Sequence, residues 1–221
     1  KGNVCSAAQM FLKDGDGAVF RGNIGLWLSE DDKQFHLSYE EAGRLMGMAL
    51  DDYKEKKNTY PEEMFIHGRA NFSDREWDGF INAIESRSAT TKICGIIIKS
   101  VNEFKLLRAV EKEASNFGVL RGLAWLINDK EGYLFTRGFI PRISTSNTLE
   151  TPNPLFIKIA RGEVDLFKVM TDILALTKLN YNACIYGDGL PVTLRFSDLI
   201  GNILTATSEF KTDQRQFKYY I

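Results

Sequence analysis

Apolar and polar positions along the chain follow two rhythms, and the switches between them mark out its elements. Val4 to Leu12 (VCSAAQMFL) is a short apolar run with the length of a buried strand. Lys13-Asp14-Gly15-Asp16-Gly17 is a turn of the kind that joins hairpin strands, and Ala18 to Leu28 returns as the second strand. Phe35 to Leu37 reads as a third, short one. Ser38 with Glu41 three residues later has the spacing of a capping box, and Ala42, Leu45, Met46, Ala49 and Tyr53 then recur at helical period. That helix runs out into a solvated Lys54-Glu55-Lys56-Lys57. Met64 to His67, after Pro61, reads as a buried strand. Ser73 and Glu76 repeat the capping box for a helix through Ile84, and Ile93 to Lys99 is the next strand.

The second half continues in the same manner. Phe104 to Ser115 reads as helical. Val119 to Ile127 and Tyr133 to Ile143 read as a hairpin turning at Asn128 to Gly132. A polar loop from Ser144 to Pro154 leads to a strand, Leu155 to Ala160. Val164 to Leu179 is a helix with Phe167, Met170, Ile173 and Leu174 on one face. A polar, aromatic elbow (Lys178, Asn180, Tyr181, Asn182) and a Gly-Asp-Gly turn follow. Phe196 to Thr205 is the last helix, with Leu199, Ile200, Ile203 and Leu204 inward and one buried acid, Asp198, early in its length. Strands in company with helices give an α/β class, a mixed sheet flanked by helices. No repeat, low-complexity segment or linker interrupts it, so a single domain is expected over residues 1–221.

Composition narrows the function classes. At 44% hydrophobic and 12% aromatic residues, the chain can build a core and is not a disordered one. No apolar run reaches the roughly 18 residues of a membrane span, and the start does not read as a signal peptide. A net charge of −1 argues against indiscriminate coating of nucleic acid, so any such contact must come from a local basic lane. Cys5, Cys94 and Cys184 are odd in number and far apart, the pattern of reduced thiols in a cytoplasmic protein. His36 and His67 are too few for a zinc site, and His67 reads as a hydrogen-bonded residue at a strand end. Trp27, Trp77 and Trp125 read as core or interface.

Five stretches, in order, carry a resemblance. They are CSAAQMFLKDGDGAVFRGNIG, MFIHGRANFSDREWDGF, YLFTRGFIPRISTSN with TPNPLFIKI, DILALTKLNYNACIYGDGLPVTLRFSDLIGNILTA, and the terminal FKYYI. Together they span nearly the whole chain, which resembles the PIWI domain of Argonaute proteins, and most nearly the short prokaryotic Argonautes. The resemblance implies an RNase H-like fold. It also implies that the first strand, and the MID domain that binds the guide 5′ end, lie upstream of Lys1 or on another chain.

RNase H-like cleavage needs carboxylates to hold two divalent metals, which activate water and stabilise the leaving oxygen. In an active slicer of the family the strand Met64 to His67 would run into Arg-Asp-Gly. Here the residues are Arg69-Ala70-Asn71, and Ala70 has no oxygen to offer. Asn71 is only a neutral neighbour. The fourth ligand position falls on Asp198, which reads either as a structural acid capping its own helix or as a relic of the site. Glu40 and Glu41 fall near the mobile glutamate of slicers but serve equally as cap and N-terminal charge. A cleavage-inactive domain is therefore expected.

The resemblance implies guide contacts at Lys178, Asn180, Tyr181 and Asn182, which read equally as an ordinary helix end. Arg137, Arg142 and Arg195 are further candidates for the basic lane. It implies Mg²⁺ bridging the guide 5′ phosphate and the carboxylate of Ile221. Phe217, Tyr219 and Tyr220 could instead pack that tail for stability alone. The implied partners are a guide RNA, a single-stranded DNA target, the protein's own MID domain and an APAZ-containing effector of TIR or sirtuin-like, NAD-consuming type. An active slicer and a scaffold without nucleic acid are the alternatives.

Overall fold

The computed structural model describes residues 7–12, 17–21, 27–28, 35–103, 105–106, 119–142, 151–178 and 189–206. Nine strands and four helices lie among them, as β1 (Ala7–Phe11), β2 (Gly17–Arg21), β3 (Trp27–Leu28), β4 (Phe35–His36), α1 (Tyr39–Lys57), β5 (Glu63–Gly68), α2 (Asp74–Glu85), β6 (Lys92–Ser100), β7 (Ala124–Leu126), β8 (Glu131–Leu134), β9 (Leu155–Arg161), α3 (Leu166–Leu176) and α4 (Val192–Ala206). A five-stranded sheet has the order β5-β6-β9-β8-β7, beside two small antiparallel pairs, β1-β2 and β3-β4. This is the mixed α/β architecture the patterning predicts. The chain divides into two compact units, 1–95 with 193–221, and 96–192, so that β6 contributes to both. No described helix is long and apolar enough to cross a membrane.

In the first unit both capping boxes form. Ser38 accepts a hydrogen bond from the Glu41 amide and Ser73 from the Glu76 amide, each at 3.2 Å. Those bonds satisfy N–H groups that a helix start leaves without intrahelical partners. α1 ends at Asn58, whose left-handed φ of 58° closes the helix through its N–H to the Lys54 carbonyl. The predicted stripe faces inward: Ala42, Leu45, Met46 and Ala49 are buried, joined by Leu50. One cluster packs Ala42, Met46 and Leu50 of α1 against Phe80, Ala83 and Ile84 of α2. The two helix backbones meet at Gly79, where a β-carbon would stand 2.3 Å from the Tyr39 carbonyl oxygen. Glu76 is buried close to His36, 3.5 Å from its Nδ1, and burial raises its pKa.

Several expectations are corrected here. The second strand is not continuous from Ala18 to Leu28: β2 pairs with β1 over five rungs, whereas β3 pairs with β4. α4 starts at Val192, four residues earlier than the apolar pattern suggests, directly after Pro191. Pro191 needs no N–H there and stiffens the helix entry. Asp198 consequently sits in mid-helix and its side chain is 49% exposed, so it is neither buried nor a cap. Leu199 is exposed too, while Ile200 is buried.

In the second unit β7, β8 and β9 form an antiparallel meander, with Trp125 opposite Tyr133 and Tyr133 opposite Phe156. Alternation along β9 buries Leu155, Ile157 and Ile159, as expected for a strand with one covered face. The hairpin strands are shorter than their apolar runs suggest. Gly122 (φ 91°) and Gly138 (φ 140°) take the backbone out of the strand region on either side. A β-carbon at Gly138 would lie 2.2 Å from the Val119 carbonyl oxygen, so a glycine is needed for that close approach. α3 is two residues shorter at its start than predicted, because the Asp165 carboxylate accepts from the Phe167 and Lys168 amides and caps the helix instead of entering it. Its inward face is Leu166, Val169, Met170 and Ile173; Phe167, expected inside, is 66% exposed. Of the expected helix Phe104 to Ser115, only Lys105 and Leu106 are described, and neither is helical.

Candidate nucleic-acid interface

The C-terminal end of β5 meets α4, near the position where the sequence resemblance places a carboxylate site. His67 is partly buried, and its Nδ1 lies 2.9 Å from the hydroxyl of Thr193 on α4. Burial pulls its pKa down to about 4, because desolvation disfavours the charged ring. The imidazole is therefore neutral near pH 7 and held by its threonine, the hydrogen-bonded role expected for it. Two residues on, Arg69 Nη2 donates to Asp198 Oδ2 at 2.5 Å, with both side chains about half exposed. Ala70 is partly buried and Asn71 exposed. At this end of β5 the groups are thus a neutral imidazole, a methyl, an amide and a carboxylate already engaged by a guanidinium.

Among the described residues, the groups at this end of β5 do not by themselves make a two-metal centre. Divalent cations of this chemistry want several oxygen ligands, carboxylates above all. Ala70 supplies none, and Asp198 carries its own counter-ion within its hydrogen-bonding shell. Glu40 and Glu41 lie in the first turn of α1, and the Glu41 carboxylate is bonded to Arg44 at 2.9 Å. Cys94 is a buried free thiol, as predicted.

The candidate backbone contacts divide between the units. Arg195 is on α4 in the first unit and is partly buried. Lys178, Arg137 and Arg142 belong to the second unit and are all exposed. Arg142 takes a left-handed φ of 67° directly after Pro141. Asn180, Tyr181, Asn182 and Ile221 lie outside the described residues, as do Cys5 and Cys184.

Sequence reasoning missed a polar brace in the second unit. Arg121 donates from Nε to the Thr136 carbonyl at 2.8 Å and from Nη2 to the Thr177 hydroxyl at 2.6 Å. The Thr136 hydroxyl donates to the Gly189 carbonyl at 2.6 Å, and that of Thr177 to the Leu174 carbonyl at 2.7 Å. Both threonines are 1% exposed. One guanidinium thereby ties the end of α3 to the segment after β8. The pairings of Arg69 with Asp198 and of His67 with Thr193 were also missed. None of these leaves a periodic signal, because each joins residues far apart in the chain.

No protein-family model matches the chain, and no curated protein does. Solved structures do. The chain is similar to the Argonaute of Clostridium butyricum, solved with a guide DNA and a 19-mer target DNA, at 20% identity and a TM-score of 0.68, covering 98% of this chain and 29% of that one. It is similar to the Argonaute of A. aeolicus at 14% identity and a TM-score of 0.59, covering 100% of this chain and 32% of that one. The chain therefore spans about a third of the length of either structure. Its fold is the RNase H-like fold of the Argonaute PIWI domain.

Proposed function

We propose that this chain is the PIWI part, residues 1–221, of an Argonaute-type protein that holds a guide strand, pairs it with a target strand and does not cleave the target. The observation that carries the reading is the pairing of Asp198 with Arg69 beside the end of β5 on an Argonaute-like fold; the sequence resemblance supports it by setting Ala70 against a slicer's carboxylate position. Guide-directed binding assigns sequence specificity to base pairing. The protein itself then reads backbone and duplex shape, for which arginine, lysine and amide donors suffice.

In the reading that the sequence favours, the guide is RNA, the target is single-stranded DNA and the site of action is the cytoplasm. The guide 5′ phosphate is held with the MID domain, Mg²⁺ bridging it to the Ile221 carboxylate. Lys178, Asn180, Tyr181, Asn182, Arg137, Arg142 and Arg195 contact the backbone. Output then falls to a partner, an APAZ-containing effector of TIR or sirtuin-like type that consumes NAD once the target is bound. The resemblance to short prokaryotic Argonautes supports that coupling. Sequencing the nucleic acids that copurify with the protein from its host tests the core of the proposal. Short RNAs of uniform length with 5′ phosphates are expected. Uniform short DNAs would keep the binding role and replace the guide chemistry. An absence of any nucleic acid of defined length would instead favour a protein scaffold.

A further inference from the structure

The brace built on Arg121 has an arrangement that packing alone does not require. The two groups it grips each stand one residue before an exposed cation. Thr136 precedes Arg137, and Thr177 precedes Lys178. Because a single guanidinium binds the Thr136 carbonyl and the Thr177 hydroxyl, the backbones that launch Arg137 and Lys178 are held within one side chain's reach of each other. The Thr136 hydroxyl fixes a third strand of chain, at the Gly189 carbonyl. Gly189 itself leaves the space in which Arg137 lies: a β-carbon there would come 2.6 Å from Arg137 Nε and 3.0 Å from its Cζ. Arginine suits the bracing role because its planar fork donates along two directions at once, which lysine cannot do.

From this we infer that Arg121 is a positioning residue for a two-cation site, in which Arg137 and Lys178 take adjacent phosphates of a nucleic-acid backbone. The inference rests on the nucleic-acid-binding role proposed above and adds to it the residue that sets the spacing of the contacts. Arg121 touches no phosphate itself. It fixes the spacing of the two stretches of backbone from which the charges extend, and stems already held together bind a polyanion with less ordering left to pay.

Salt dependence separates this role from a merely structural one. Each phosphate contact to a single strand contributes about 0.7 to the slope of log affinity against log salt concentration. The probe is a 5′-phosphorylated single-stranded RNA of about 20 nucleotides, titrated by fluorescence anisotropy against the full chain between about 50 and 200 mM salt. The double variant Arg137→Ala/Lys178→Ala is expected to lower the slope by about 1.4. Arg121→Met, measured well below its own melting temperature, is expected to lose a similar share, and combining all three changes should add little. Thr177→Val removes the hydroxyl that Arg121 grips without touching a charge and serves as the second variant, carrying the test if Arg121→Met does not fold. Wild-type slope in a folded Arg121→Met or Thr177→Val protein would overturn the inference, as would an unchanged slope in the double variant. A wild-type protein that binds neither this RNA nor a single-stranded DNA of the same sequence would overturn the proposed function along with it, whereas the other two failures leave that function standing.

Discussion

Replacing Gly79 by alanine should loosen the first unit, and the size of the effect can be worked from the contact it creates. The new methyl would stand 2.3 Å from the Tyr39 carbonyl oxygen, 3.1 Å from its carbon and 3.0 Å from the Ala42 β-carbon, where ordinary contacts begin at 3.4 Å. Two of those three atoms are backbone, so α1 and α2 must move apart by about an ångström. Overpacking of this kind costs about 1–3 kcal/mol. A clash against backbone lies in the upper part of that range, about 2–3 kcal/mol; alanine returns about 1 kcal/mol of helix propensity, which leaves a net loss of about 1–2 kcal/mol. Gly47 on α1 is the control. A methyl there meets Arg87 Nη2 at 2.8 Å, the far end of a flexible side chain that pairs with Asp51 at 2.8 Å. That pair is partly exposed and worth about 0–1 kcal/mol, and alanine gains about 1 kcal/mol of helix propensity, so Gly47→Ala should lie between neutral and about 1 kcal/mol more stable. Urea titration at constant slope separates the two. Equal stability of Gly79→Ala and wild type, or a larger loss for Gly47→Ala, would refute the packing described here. The consequence reaches the site, because α2 starts at Asp74, directly after the segment that carries Arg69 and Ala70.

Three further outcomes follow from the same geometry. His67 has a folded-state pKa of about 4, below the unfolded value of about 6.5, so the unfolded chain binds the extra proton first and the fold loses stability as pH falls from about 6.5 to 4. The loss reaches about 3 kcal/mol at most, and comparing urea stabilities of wild type and His67→Gln at pH 7.5 and 4.5 measures it. A pH dependence identical in both proteins would contradict the assignment. Asp198→Asn should cost under about 1 kcal/mol and nothing at about 1 M salt, since the pair with Arg69 is exposed and screened; a loss of several kcal/mol in urea unfolding would mean the acid is doing something the pair does not explain. Arg121→Met should flatten the salt dependence of RNA binding, as set out above.

What could be read from the sequence was whatever repeats along a single element. The capping boxes at Ser38 and Ser73 and the stripe Ala42, Leu45, Met46, Ala49 are local, and they form as expected. Apolar content without its direction was less reliable. Phe167 and Leu199 fit helical stripes by composition, yet neighbouring positions bury better and leave both exposed. Of the two readings given for Trp125, core or interface, its 57% exposure on the edge strand β7 removes the first. The candidate site was half legible. The hydrogen-bonded role of His67 at its strand end was readable, whereas the fate of Asp198 depended on Arg69, 129 residues away in the chain. The brace through Arg121, Thr136, Thr177 and Gly189 was invisible for the same reason.

Cleavage tests the central claim most directly. The protein is loaded with a 5′-phosphorylated guide and given a complementary end-labelled single strand in Mg²⁺ or Mn²⁺. With Ala70 at the end of β5, the target should be retained by the complex and recovered at full length. A discrete product cut opposite the guide, absent when the guide is mismatched, would contradict the account.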